Sequence, residues 1–504
     1  MRLREELAER GSKLLICHGK PEEVLGGLPK GSEVKCTSEP VSIEQTDVEH
    51  FVARELIKNG SKLRKDPGAM SLYHPDDLPF DVKQRPECYS ELGRALGWKD
   101  IWTSVEREED ATPVRPCVPA PSRVPAPPES LQLPGLIPDE VLADEARILE
   151  HLGYSSEEIK QALGQDLPPG GETAARLHLE DWAAKQSEEG SENPQCADAV
   201  YWDLPCAGQQ GPSSEHDPFQ WVNLSTPHGG LRISHYMAVG CVSAREIFHR
   251  AAETPNFAMV AHRLLWREFH RLYAIKYHRR IAWLQGPARV ERSWKQDPEI
   301  AEAWKKGLTG VPYIDACQRE LQQTGWLAYK GRKTSAHFLV FDLWMDWRIG
   351  AFHDEETLLD YDFAMNYGNW AVVSKIGNGG GSAWAGSREF DPEYVDLRWK
   401  LRAEQRNDPA GAYIRRWVPE LSKVEDKHVH TPWFMTAEEM EASGCVLGRD
   451  YPKPLVGGLE IASCEPRPWE EREKWMEMAE GTEKAEGAAE EESKGEEKAE
   501  EKAE

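Results

Sequence analysis

Close pairs of cysteines are missing from these 504 residues: ten cysteines occur singly, at 17, 36, 88, 117, 196, 206, 241, 317, 445 and 464. That spacing excludes paired-cysteine zinc motifs and the cysteine density of a small secreted scaffold, and leaves reduced thiols with no metal role. Long apolar runs are missing too, since none reaches the ~18 residues of a membrane span. The opening stretch, MRLREELAERGSKLLICHG, begins with a charged helix instead of a signal peptide's apolar core. The expectation is a soluble intracellular protein without membrane contact, of unspecified compartment.

Positive charge is short as well. Lys and Arg number 61 against 87 Asp and Glu, a formal net charge of −26, which argues against a surface coated for nucleic acid. Residues 470–504 hold fifteen Glu and six Lys or Arg, leaving −17 on residues 1–469. Any DNA contact must then come from a local basic patch. The candidate is Arg263, Arg267, His270, Arg271, Lys276, His278, Arg279 and Arg280; at helical spacing these spread around a helix, and the plainer reading is a solvated basic face.

What is present is enough apolar residue, 39%, to bury the cores of two or three domains. Residues 1–110 alternate helical patterns with short apolar runs, Leu14 to Cys17 and Val34 to Cys36, then a helix around Val48 to Lys58. This is an α/β pattern with a parallel sheet. Residues 111–138 are Pro-rich, which excludes a long helix or a central strand and marks an interdomain linker. From 139 to 425 apolar spacing of three and four predicts an all-α domain, interrupted by a polar loop at 191–230. GNGGGSAWAGS (377–387) reads as a flexible insertion, 426–469 as a C-terminal extension, and 470–504 as a disordered acidic tail.

Nineteen tryptophans stand out, because indole is bulky and has an N–H to satisfy. Trp294 in RSWKQDPEIAEAW, Trp347 in LWMDWRIG and Trp370 in NYGNW are singled out by context. Indole is readily oxidised by one electron, so a row of them leading from a buried redox cofactor can relay charge; each alone is equally a large core residue. LLDYDFAMNYGNW adds Asp360, Asp362 and Asn366 within seven residues. Two buried acids this close need a cation, and Arg332 is the nearest candidate in sequence. The same D-x-D pair also fits a metal-nucleotide site or, more plainly, two surface acids.

The run AEAWKKGLTGVPYIDACQRELQQTGWLAYKGRKTSAHFLVFDLWMDWRIGAFHDEETLLDYDFAMNYGNW resembles, nearly position by position, the flavin-binding core of the photolyase/cryptochrome superfamily. The N-x-G-N-W ending, Gly170-Gly171-Glu172 and SLYHPDDLPF (71–80) are similar to its DASH branch. The resemblance covers most of 14–105 and 170–425, including RNDPAGAYIRRWVPEL. It implies a photolyase-type Rossmann-like α/β domain followed by an all-α FAD-binding domain. Residue by residue, it implies that Arg332 lies against the flavin ring and pairs with Asp360, that Asp362 accepts hydrogen bonds from the cofactor, and that Asn366 faces flavin N5, where a neutral amide serves either protonation state. Trp370, Trp347 and Trp294 match the relay in that order, Trp266 and Arg267 the helix closing the pocket, and Ser234 a phosphate-contacting hydroxyl.

Several positions depart from the family. Gly230 and Leu231 replace two hydroxyl residues near Ser234. In the lesion cavity, Arg263 stands where a Glu is expected, Tyr329 where an Asn is expected, and Val372 where an aromatic is expected; Ala328 and Tyr329 replace the paired histidines of (6-4) photolyases. The family's first strand and its W-F-R-x-D-L-R motif have no counterpart, so a truncated N-terminal domain is expected, which weighs against an antenna folate (MTHF). The resemblance thus implies an FAD-binding blue-light photoreceptor with weak binding of single-stranded DNA and with signalling protein partners. The alternative is a deoxyribodipyrimidine photolyase acting on cyclobutane pyrimidine dimers in single-stranded DNA.

Overall fold

Helices account for most of the structure, a computed structural model that describes residues 2–38, 40–68, 70–99, 106–164, 168–187, 231–254, 257–377, 408 and 410–456. The expected loop at 191–230, the glycine-rich insertion from 378 onward and the acidic tail lie outside the described residues. All elements below belong to one unit, Met1–Leu455.

The N-terminal part carries α1 (Arg2–Glu9), α2 (Pro21–Gly26), β1 (Glu33–Ser38), α3 (Ile43–Lys58), β2 (Lys62–Pro67) and α4 (Tyr89–Ala95). β1 and β2 pair in parallel, Glu33 opposite Lys62 and Ser38 opposite Pro67, with α3 as the crossover that parallel strands require. Val52 and Leu56 of α3 are buried. The apolar run Leu14 to Cys17 departs from expectation. It joins no parallel sheet but makes one antiparallel bridge, Cys17 to Leu136, with Ile137 N donating to Ile16 O at 2.9 Å. The Pro-rich segment therefore does more than connect: it lies along residues 10–18, where Val124 N also donates to Arg10 O.

Among the described residues fourteen further α-helices follow: α5 (Glu145–His151), α6 (Ser156–Leu163), α7 (Glu172–Ser187), α8 (Ser234–Ala238), α9 (Ala244–Ala251), α10 (Phe257–Tyr277), α11 (Pro298–Lys305), α12 (Pro312–Thr324), α13 (Tyr329–His337), α14 (Trp347–Thr357), α15 (Phe363–Val373), α16 (Ala412–Trp417), α17 (Asp426–Val429) and α18 (Ala437–Ser443). Their boundaries have local causes. Pro298 and Pro312 open α11 and α12 where an N–H has no partner to lose, Asp297 caps α11, and Gly325 ends α12 in the left-handed region at φ +65°. After α13 the chain widens into a π turn, Phe338–Asp342, just before α14.

Leu72, Tyr73, Tyr89 and Trp98 share one core with α7 and with Leu264, Leu265 and Phe269 of α10. No helix of the described residues is long and apolar enough to cross a membrane, and none of their seven cysteines forms a disulfide.

Candidate functional site

The start of α15 gathers the charges. Asp360 just precedes it, with only 7% of its side chain exposed, and its two oxygens take Arg332 Nη2 at 3.0 and 2.9 Å. Arg332 is fixed in turn by Nε donating to Leu327 O at 2.7 Å. Asp362 is the N-cap of α15, accepting from Met365 N, and pairs with Arg267 Nη2 at 3.1 Å, with Arg271 at 3.9 Å. Burial opposes its charge, but the guanidiniums of Arg267 and Arg271 hold the carboxyl below the usual range. Two surface acids were the plainer expectation for this D-x-D pair, and the structure overturns it: both are enclosed and paired with arginines. That pairing also leaves them poorly placed to chelate a metal.

One turn further, Asn366 is buried and gives Nδ2 to Ala351 O at 2.8 Å, so Oδ1 is the atom it has left to offer. Trp266 on α10 donates Nε1 to Asn369 Oδ1 at 3.3 Å, stacks on Phe269 and meets the edge of Tyr89. Arg263, one turn earlier, is exposed, and Tyr329 sits partly buried at the start of α13, one turn before Arg332. Ser234 opens α8 beside His235, whose Nε2 is buried without a hydrogen-bond partner among the described residues. Burial pushes this imidazole down.

The tryptophans occupy three environments. Trp370 on α15 is 4% exposed and donates Nε1 to Asp354 Oδ2 at 2.9 Å. Trp347, the first residue of α14, is fully buried, donates to Leu284 O at 3.1 Å and meets the edge of Tyr367 at 6.1 Å. Trp294 is partly exposed under the Arg292 guanidinium; a parallel bridge from Lys295 to Met345 holds its segment beside the residues leading into Trp347. Glycine permits the packing. A Cβ built on Gly350 of α14 would lie 2.1 Å from Trp370 Cη2, and one on Gly368 of α15 would lie 2.2 Å from His270 Nδ1 of α10.

The basic stretch that begins on α10 is only in part the solvated face expected of it: Arg263 and Arg279 are exposed, but its middle is not. Arg267, His270 and Arg271 are buried, the arginines turned toward Asp362, because acids distant in sequence call them inward. Lys276 pairs with Glu87 and Arg279 with Asp47. Burial, then the nearby Arg85 cation, pushes the His270 imidazole down to about 3. The N-terminal part reaches this helix as well: Arg267 Nη1 donates to Met70 O at 2.8 Å, and Leu72 N donates to Glu268 Oε2 at 3.0 Å.

Two neighbours of Trp370 carried no signal in the sequence. Trp304 of α11 lies 6.5 Å from it, ring to ring, at 74°. Asp354 sits in the run HDEE, where it looks like one more acid of an acidic protein. Burial raises its carboxyl to about 6, against the lowering effects of the Trp370 hydrogen bond and Arg332.

Residues 259–462 match the family model described as the FAD binding domain of DNA photolyase. Over 466 residues the chain is 31% identical to cryptochrome DASH of Xenopus laevis, spanning 90% of this chain and 77% of that protein. Over 469 residues it is 30% identical to cryptochrome DASH of Synechocystis sp., spanning 90% and 82%. A solved cryptochrome structure from Synechocystis sp. superposes with a TM-score of 0.69 at 28% identity, over 92% of this chain and 85% of that one.

Proposed function

Because this chain belongs to the photolyase/cryptochrome superfamily and to its cryptochrome DASH branch, we propose that it is an FAD-binding blue-light photoreceptor whose tryptophans Trp370, Trp347 and Trp294 relay single electrons. FAD, when bound, supplies the light absorption and the one-electron chemistry. The residues present fit that cofactor. Arg332 offers a cation whose charge is balanced by Asp360, the buried Asn366 offers its amide oxygen, and Ser234 precedes His235, whose buried Nε2 has no hydrogen-bond partner among the described residues. These are donors and one acceptor suited to a flavin ring edge and to phosphate oxygens.

The observation that carries the reading is the Arg332–Asp360 pair just before α15, the helix that holds Asn366 and Trp370, the latter with almost no access to water. The purified full chain, mixed with FAD, is expected to keep a flavin absorption band through gel filtration and to bleach under blue light. A chain that elutes colourless after reconstitution would overturn the reading.

A repair enzyme is the second reading, favoured by Trp266, a partly exposed ring one turn from the exposed Arg263. A dimer held there needs groups that stabilise its carbonyls as charge develops. Arg263 is instead shaped for phosphate as readily as for a base edge. Tyr329 brings bulk, and Val372 lacks a stacking face worth ~1–3 kcal/mol per base. We therefore infer weak binding of single-stranded DNA through its backbone, little or no dimer repair, and signalling through protein partners. Illuminating the reduced protein with a dimer-containing oligonucleotide decides between the two: efficient restoration of the bases would establish the enzyme.

A further inference from the structure

We propose that Asp354 is the proton acceptor for Trp370: when an electron leaves the indole, the Nε1 proton passes along the existing hydrogen bond to the Asp354 carboxylate. The inference rests on the relay reading above for Trp370 as first donor, and the proton transfer competes with onward transfer of the charge to Trp347. In the balanced step the N–H bond of Trp370 breaks and an O–H bond forms on Asp354 Oδ2. The electron goes to the one-electron oxidant, a light-excited oxidised flavin. What remains is a neutral indolyl radical and a carboxylic acid.

Geometry provides the path. Nε1 and Oδ2 are 2.9 Å apart, so the proton needs no rearrangement to move. The ring is held in place, with Gly350 against one edge and Trp304 nearby. At 4% exposure the indole has little water to compete for the proton. Among the described residues, the charged or titratable groups facing Asp354 are Arg332 from α13 and Asp360 from the segment before α15. The guanidinium of Arg332 is already engaged by both oxygens of Asp360, so Asp354 has no cation of its own. His353, next to it on α14, is pushed down to about 4 by burial and is neutral near pH 7. Asp354, raised to about 6, is ionised near neutrality and yet more basic than an exposed carboxylate.

The consequence is a longer-lived charge separation. A deprotonated indole cannot simply take its electron back, because the proton must return with it.

Laser-flash measurements on the FAD-reconstituted full chain test this. In the native protein the indole radical should change from its cation spectrum to its neutral spectrum, and an infrared band of a protonated carboxyl should grow with the same time constant. Asp354→Asn keeps an oxygen that accepts the hydrogen bond but cannot take the proton. It should slow the cation-to-neutral change by roughly a hundredfold, the low end for a positioned base, and abolish the band. Asp354→Glu should restore both in part. In the native protein the change should also slow as pH falls through about 6, where Asp354 becomes protonated. Deprotonation at the native rate in Asp354→Asn, or a native flash without the carboxyl band, would overturn the proposal and leave the relay intact. A native flash that yields no indole radical at all would overturn the relay itself.

Discussion

Gly350 lies directly beneath the outer edge of Trp370, so close that a Cβ at position 350 would fall 2.1 Å from Cη2. The helix pair α14 and α15 can approach only because that carbon is absent. Gly350→Ala is expected to destabilise the fold by ~1–3 kcal/mol, the range for overpacking a filled core, and to lengthen the bond from Trp370 to Asp354. Denaturant unfolding together with near-ultraviolet circular dichroism reads both effects. Native stability in the variant would mean that the helices part without resistance.

Removing Asp360 strands Arg332 beside an enclosed site. Asp360→Ala is expected to cost about 3 kcal/mol or more, since a partly buried charge loses its partner, and to release flavin on gel filtration. Equal flavin-to-protein ratios in variant and native chain would remove the ion pair from the cofactor site.

Trp370→Phe keeps a ring against Gly350 but replaces the readily oxidised indole with a poor donor. Blue-light photoreduction should slow greatly while flavin content stays near native. Undiminished photoreduction would place the first donor elsewhere, and Trp304, 6.5 Å away, would be the ring to substitute next.

His270 contributes a pH dependence of known sign. Its folded value, about 3, lies below the ordinary 6.5 because burial, and then Arg85, disfavour the cation. The unfolded chain therefore binds this proton where the folded chain does not. The stability contributed is fully present above about pH 6.5 and is lost as pH falls toward 3, at roughly 1.4 kcal/mol per pH unit. His353, depressed to about 4, adds a like slope over part of that range. His270→Gln should remove one such slope from the stability profile between pH 6.5 and 4.5, and parallel profiles would refute the assignment.

Periodicity and proline content predict where helices run and where none can, and the helical half and the Pro-rich segment follow from them. The cation for Asp360 was legible for an electrostatic reason, since enclosed carboxylates so close in sequence need one, and Arg332 supplies it; the cations of Asp362, Arg267 and Arg271, were not. What each helix faces was not legible. The basic side chains of α10 that turn inward read as solvated because the acids that draw them in, Asp362 and Glu87, are distant in sequence. Leu14 to Cys17 reads as a sheet strand because apolar runs look alike, whether they pair in a sheet or by one bridge to a loop. Asp354 is invisible for the same reason: its meaning comes from a tryptophan sixteen residues away that packing brings within 2.9 Å.

With FAD beside Asp362 as proposed, the two hydrogen bonds between residues 70–72 and α10 would make cofactor occupancy and the integrity of the N-terminal part linked equilibria. Met70 O holds the same guanidinium that pairs with Asp362, so a cofactor bound beside Asp362 would also stabilise the docking of the segment after β2. The dependence is reciprocal: loosening that segment by substitution, proteolysis or a partner that grips it weakens cofactor affinity by the same free energy. Hydrogen exchange at Leu72, far in sequence from Asp362, would then report whether the chromophore is in place.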